Sequence, residues 1–177
     1  MAVLPIRTFG DPVLRQRARE VEAVTEVHRA LARDMLDTMR AAPGVGLAGP
    51  QVGVLERIFV WEVGDQHGVV INPVIVARSD ETVSQEEGCL SLPGIAYEVE
   101  RSYALVVEGI DEHGAPLRIE AEEFLARVFQ HEIDHLDGVL FIDRLAEPER
   151  RQALRTLRLQ ALGLDDRPAA VAQEEAL

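Results

Sequence analysis

An α+β domain, with antiparallel strands packed around a central helix and a further helix near the C-terminus, is the fold this 177-residue chain predicts. Two observations carry the prediction. From Arg57 to Glu120 the apolar pattern has the short period and the β-branched and aromatic residues of strands. The segments on either side repeat near 3.6 residues, the period of an amphipathic helix. A third feature, HEIDH at 131–135, marks the central helix as the one to inspect for chemistry.

The elements follow in order. An opening arm contains Pro5 and the Gly10-Asp11-Pro12 turn. In VTEVHRALARDMLDTMRA, residues Val24, Val27, Leu31, Met35 and Met39 form one apolar stripe, with Thr25 as an early cap. That helix should stop at Pro43-Gly44, because proline cannot extend the hydrogen-bond ladder. RIFVWEV, VVINPVIVA, YEVE and YALVVEGID read as strands separated by Gly-Asp, Asp-Glu and His-Gly turns. DEHGAP at 111–116 reads as a hairpin connection, which makes His113 an exposed turn residue; His67 reads the same way, and His28 as surface. EEFLARVFQHEIDHLDG returns to helix, with Gly138 as its terminator. EPERRQALRTLRLQALG is the last helix, with Pro148 near its start and an end near Gly163. The organisation expected is a single catalytic domain over 1–164 and a C-terminal tail over 165–177 that frays.

Composition narrows the functional classes. Acidic residues number 31 against 18 basic, a formal charge of −13. Phosphate backbones and acidic lipid surfaces call for concentrated positive charge, so neither DNA nor membrane is an expected partner. The N-terminal stretch has no apolar run of signal length, no segment approaches a membrane span, and the expected location is cytoplasmic. Cys89 is the only cysteine, so the chain has no internal disulfide and one free thiol.

Residues four apart on a helix lie about one turn, ~6 Å, along the axis. His131 and His135 can therefore aim their imidazoles at one ion, while Glu132, rotated ~100° from His131, reaches a water beside that ion without ligating it. The alternative is a polar helix face in which Glu132 and Asp134 are surface acids. Two histidines do not complete a site, and Cys89, in the irregular QEEGCLSLPG turn, is the conspicuous third ligand. Zinc or ferrous iron accepts a thiolate and two imidazoles and keeps a fourth position open, as a catalytic centre requires. Taken alone, Cys89 also fits a small buried apolar position.

The other dense punctuation is APGVGLAGPQVG, Ala42 to Gly53. It has neither the Lys-Ser/Thr of a phosphate loop nor the spacing of a dinucleotide fingerprint. Either it is a tight connection with Gln51 exposed, or it walls a cleft in which Gln51 donates to a carbonyl oxygen as negative charge develops there.

GVGLAGPQ, EGCLS and QHEIDHLDG, in that order and over nearly the whole chain, resemble the bacterial peptide deformylases. The resemblance implies a compact α+β domain that removes the N-terminal formyl group from formyl-methionyl nascent polypeptides and releases formate. It implies that Cys89, His131 and His135 bind one Fe2+, for which Zn2+, Ni2+ or Co2+ can substitute. Glu132 matches the general acid and base; Gln51 and the backbone amide of Leu90 match the oxyanion donors. Gly44, Val45, Gly46, Phe124 and Val128, with the carbon face of His131, match the substrate-binding positions.

Two positions depart from the family pattern. Gly49 stands where the family writes the second alanine of GxGxAAPQ, and loss of that methyl is expected to loosen the loop around Gln51. Arg127 stands where many relatives carry an aliphatic; its stem is expected to cover apolar surface while its guanidinium reaches solvent. Asp134 and Arg101 are expected to pair across the sheet–helix junction, an ordinary surface acid and base being the alternative. A monomer is expected, with a transient ribosome contact through Arg150, Arg151, Arg155 and Arg158 set against plain solvated helix charge. Two rival readings remain at this point: a catalytically weak, metal-bound formyl-peptide binding protein, and a hydrolase of another small amide.

Overall fold

The computed structural model describes residues 2–164; the tail assigned to 165–177 lies outside the described residues. The first helix, α1 (Glu26–Ala41), starts where expected. The Thr25 backbone N–H donates to His28 Nδ1 at 3.0 Å, so His28 closes the first turn of α1 and is half-buried, away from the metal-type cluster described below. At its other end Gly44 N–H donates to the Met39 carbonyl at 2.9 Å, one residue past Pro43.

Strands β1 (Gly46–Ala48), β2 (Ile58–Val63), β3 (Gln66–Arg78), β4 (Thr82–Glu87), β5 (Tyr97–Ser102), β6 (Ala104–Ile110) and β7 (Pro116–Glu122) follow. Five of them form an antiparallel sheet in the order β1-β2-β3-β6-β7; β4 and β5 form a separate two-stranded sheet. The hairpin predicted at 111–116 joins β6 to β7, its turn closed by the Asp111 carboxylate accepting from the amides of His113 and Ala115, both at 2.8 Å. His113 and His67 are both exposed. Within β3 the ladder shifts between Ile71 and Val74. Pro73 has no N–H to give there, and Asn72 takes φ 51° while exchanging hydrogen bonds with both backbone groups of Val21.

Helix α2 (Glu123–Leu136) carries HEIDH, and α3 (Glu147–Ala161) follows. Strand β2 explains how the layers assemble. Its run Ile58, Phe59, Val60, Trp61 is buried throughout because alternate residues serve different helices. Phe59 and Trp61 pack with Ala126, Val128, Phe129 and Ile133 of α2, while Ile58 and Val60 pack with Ala32, Met35 and Met39 of α1. The Phe129 ring meets Phe59 and Trp61 edge-on, each centroid 5.3 Å away, which fixes α2 on the sheet.

Helix α2 ends as Gly138 predicts. Gly138 has φ 74°; its N–H donates to the His135 carbonyl, and Val139 N–H donates to the Asp134 carbonyl at 2.9 Å. Arg57 Nη1 and Ala18 N–H donate to the Leu136 carbonyl at 3.2 and 2.8 Å. With its last turn held this firmly, α2 is a rigid platform for its side chains. No helix among the described residues is long and apolar enough to cross a membrane.

The Gly49 expectation is reversed. A methyl at Gly49 would sit 2.8 Å from the Val54 carbonyl and 2.9 Å from the Glu56 carbonyl, so the backbone has closed into that space and the loop is not loosened. Both obstacles are main chain and cannot swing away. Gly49→Ala is therefore expected to destabilise the protein by about 1–3 kcal/mol, as overpacking does. A denaturant titration reads this as a lower midpoint with unchanged slope; an equal or higher midpoint would show that the β2 approach yields to a methyl.

Candidate metal centre

Helical spacing and the fixed seat of α2 bring His131 and His135 together: their Nε2 atoms lie 3.2 Å apart. The third atom arrives from a distant segment. Strand β4 ends at Glu87, Gly88 follows, and Cys89 places its Sγ 3.3 Å from His135 Nε2. All three side chains are buried, and their ligating atoms lie within 4.8 Å of one another. One soft thiolate and two imidazoles suit a borderline divalent ion such as zinc or ferrous iron.

The geometry of the ring nitrogens supports the same use. Glu87, fully buried, lies 3.0 Å from His131 Nδ1. A carboxylate accepts, so Nδ1 carries the proton and the Nε2 lone pair is left for an ion. Burial alone would raise the Glu87 pKa; hydrogen bonds from His131 and Arg101 outweigh it and hold the group well below the usual carboxylate range. The His131 ring also stacks on Phe141, with centroids 6.3 Å apart and planes at 27°.

Glu132 is the exception to the rule that buried polar groups find partners. It is 0% exposed, and neither carboxylate oxygen has a hydrogen-bond partner among the described residues. Burial pushes its pKa up to about 7. The space beside it is kept by Gly46, where a Cβ would collide with Glu132 Oε1 and come within 2.8 Å of the carboxyl carbon. An orphan carboxyl beside three converging ligand atoms is a candidate for proton transfer, since an apolar side chain would be more stable in that place.

The remaining predicted residues divide. Gln51 is fully buried, which disposes of the exposed-loop reading. Its Oε1 accepts from Ala48 N–H at 2.8 Å, and this orients Nε2 to within 3.7 Å of Cys89 Sγ and 3.3 Å of Ser91 Oγ. Leu90 N–H donates to no other group among the described residues. Gly44 abuts the Leu90 side chain, since a Cβ there would lie 2.8 Å from Leu90 Cδ1. Val45 packs on the cluster that contains Val128. Phe124 is partly exposed and lines a cavity of about 250 Å³ with Val83, Gln85, Tyr103, Glu123 and Arg127. Val45 and Val128 are not among the residues lining that cavity.

Three charged groups complete the surroundings. Arg101 donates to both Glu87 oxygens, at 2.8 and 3.0 Å, and to Asp134 Oδ2 at 2.6 Å, which is the pairing expected across the sheet–helix junction. Arg144 holds Asp134 from the other side at 2.6 Å. The solvent-reaching guanidinium expected of Arg127 is not observed. Arg127 is 2% exposed, and its Nη1 donates to Glu87 Oε1 at 2.7 Å and to the Val99 carbonyl at 2.8 Å, while Nη2 donates to the Val83 carbonyl at 2.6 Å. A buried carboxylate within reach outcompetes solvent for a guanidinium already committed to the core. Glu87 is the residue that sequence reasoning passed over; its only signal was an acid two positions before the cysteine.

The family model for polypeptide deformylase matches residues 3–151. A peptide deformylase from Acidothermus cellulolyticus is 49% identical over 158 residues, covering 89% of this chain and 87% of its own. Among solved structures, the peptide deformylase from Thermus thermophilus superposes with a TM-score of 0.85 at 50% identity, over 92% of this chain and 97% of that one. The enzyme from Ehrlichia chaffeensis gives a TM-score of 0.87 at 37% identity, over 92% and 98%. With the family model matching residues 3–151 and its fold and most of its length in common with these proteins, the chain belongs to the polypeptide deformylase family.

Proposed function

We propose that Cys89, His131 and His135 hold one divalent ion and that Glu132 moves the protons of the reaction. The family and the ligand cluster together make the chain a metallohydrolase that removes the N-terminal formyl group from formyl-methionyl nascent polypeptides and releases formate. One observation carries the residue roles: the partnerless, buried Glu132 carboxyl beside the thiolate–imidazole cluster. The physiological ion in this reading is Fe2+, with Zn2+, Ni2+ or Co2+ able to take its place; the ligand types support a borderline ion and do not select among these.

The ion, once bound, supplies Lewis acidity toward water and the formyl oxygen. The chain's own groups do the rest. Glu132 accepts a proton from the water that adds to the formyl carbon. Charge gathering on the formyl oxygen is met by Gln51 Nε2, held in place by the bond between its Oε1 and Ala48 N–H, and by the uncommitted amide of Leu90. These donors meet the tetrahedral oxygen more strongly than the neutral carbonyl, which is where rate comes from. As the carbon–nitrogen bond breaks, Glu132 returns its proton to the departing amine, leaving a free amino terminus and formate. A carboxyl raised by burial exchanges protons near neutral pH more readily than an exposed one. Gly44, Val45, Gly46, Phe124 and Val128 are the residues proposed to receive the formyl-methionyl end.

A monomer acting in the cytoplasm, where nascent chains emerge, fits this role. The exposed Arg151, Arg155 and Arg158 on α3, with Arg150 beside them, support a transient ribosome contact on an otherwise acidic protein. Reversing these four charges should abolish co-sedimentation with ribosomes at low salt; unchanged co-sedimentation would remove α3 from the contact.

Two substitutions test the site. Glu132→Gln should retain the ion and lose formate release from formyl-Met-Ala-Ser by a factor on the order of 10² or more, the range for general acid–base groups. Near-normal turnover by the metal-replete variant would rule out the proton-transfer role, and a wild-type protein that binds the peptide without releasing formate would favour a binding protein. Gly46→Ala should displace the Glu132 carboxyl and lower turnover about tenfold or more while ion content is unchanged; unaltered turnover would mean that the carboxyl does not act from its observed position.

A further inference from the structure

The family's mechanism leaves Arg127 unexplained. It sits four residues before His131, so the two side chains leave the same face of α2, and both hold one carboxylate. Arg127 Nη1 donates to Glu87 Oε1 at 2.7 Å and His131 Nδ1 donates to Glu87 Oε2 at 3.0 Å. A rigid helix thus grips the carboxylate at both oxygens, which sets the carboxylate plane relative to α2. The same guanidinium reaches the carbonyls of Val83 on β4 and Val99 on β5. Strand β4 leads within two residues to Cys89, so Arg127 lies at the seam where the thiolate-bearing arm meets the imidazole-bearing helix. Its charge also balances the group. Glu87 and Asp134 bring two buried negative charges, against which Arg101 alone brings one buried positive charge; Arg144, the other partner of Asp134, is half exposed.

We infer that Arg127 is a positioning residue for the metal site, acting through Glu87. Its positive charge and Nη1–H hold Glu87 Oε1, so that Oε2 fixes the tautomer and rotation of the His131 ring. An aliphatic at this position leaves Glu87 to Arg101 and His131 alone. The inference rests on the metal reading of Cys89, His131 and His135 and adds a residue that the HExxH spacing does not reveal.

The test uses cobalt-loaded protein, whose absorption reports the thiolate and imidazole ligands directly, with chelator competition as the measure of retention. Arg127→Met keeps apolar bulk and removes the charge; Arg127→Lys keeps the charge and gives up the forked contacts to Val83 and Val99. The expected result is that Arg127→Met loses cobalt to chelator roughly tenfold or more readily, with shifted absorption bands, and that Arg127→Lys recovers most of both. Arg127→Met matching wild type in retention and spectrum, whatever its melting temperature, would overturn the inference, as would Arg127→Lys performing no better than Arg127→Met. Should Arg127→Met fail to fold, Arg127→Lys decides alone: near wild-type retention supports the role and a tenfold loss overturns it. Wild-type protein that takes up no cobalt would instead defeat the metal reading itself, a result distinct from equal retention by wild type and variant.

Discussion

The structure depends on one buried carboxylate. Glu87 is fully removed from water, and an ion in that position is tolerable only if its oxygens are paired. Arg101, Arg127 and His131 supply the pairing, and each belongs to an element that must be correctly placed: β5 for Arg101, α2 for the other two. Meeting the demands of Glu87 therefore assembles the site. It seats the two-stranded sheet on the helix, protonates His131 at Nδ1 and brings the residue two positions later, Cys89, to the imidazoles.

The hydrophobic framework provides the rigidity that such a site needs. Strand β2 is shared between α1 and α2 by simple alternation of its side chains, and the aromatic contacts of Phe129 hold α2 in register with the sheet. The helix end is closed by Gly138 and by Arg57. A metal site and a proton-transfer group tolerate little misplacement, and the residues proposed for both roles stand on a helix whose backbone is satisfied at its C-terminus. Glu132 breaks the pairing rule: it is buried, unpaired among the described residues and raised in pKa, a local cost that the proton-transfer role proposed for it explains.

Much of this was legible in sequence, for physical reasons that also explain what was not. His131, Glu132 and His135 were readable because helical spacing is a local rule, and Cys89 because no other thiol exists. Strands β2, β3 and β6 announced themselves through β-branched and aromatic runs. The three-residue β1 hides among glycines, and β4, written TVSQEE, is too polar to look like a strand. Glu87 was invisible because its role depends on three partners 14 to 44 residues away along the chain. Arg127 was misread for a different reason. Its place beside Phe124, Val128 and His131 on the helical wheel pointed inward, and the expectation followed its charge instead of its position.

The central claim is that one sulfur and two imidazole nitrogens, drawn from segments 42 residues apart at the nearest, share a single ion. X-ray absorption on anaerobically purified protein, combined with metal analysis, measures this directly. The account predicts one ion per chain with one sulfur and two imidazole neighbours in its coordination shell. Metal-free protein, or an ion surrounded by oxygen and nitrogen alone, would contradict it.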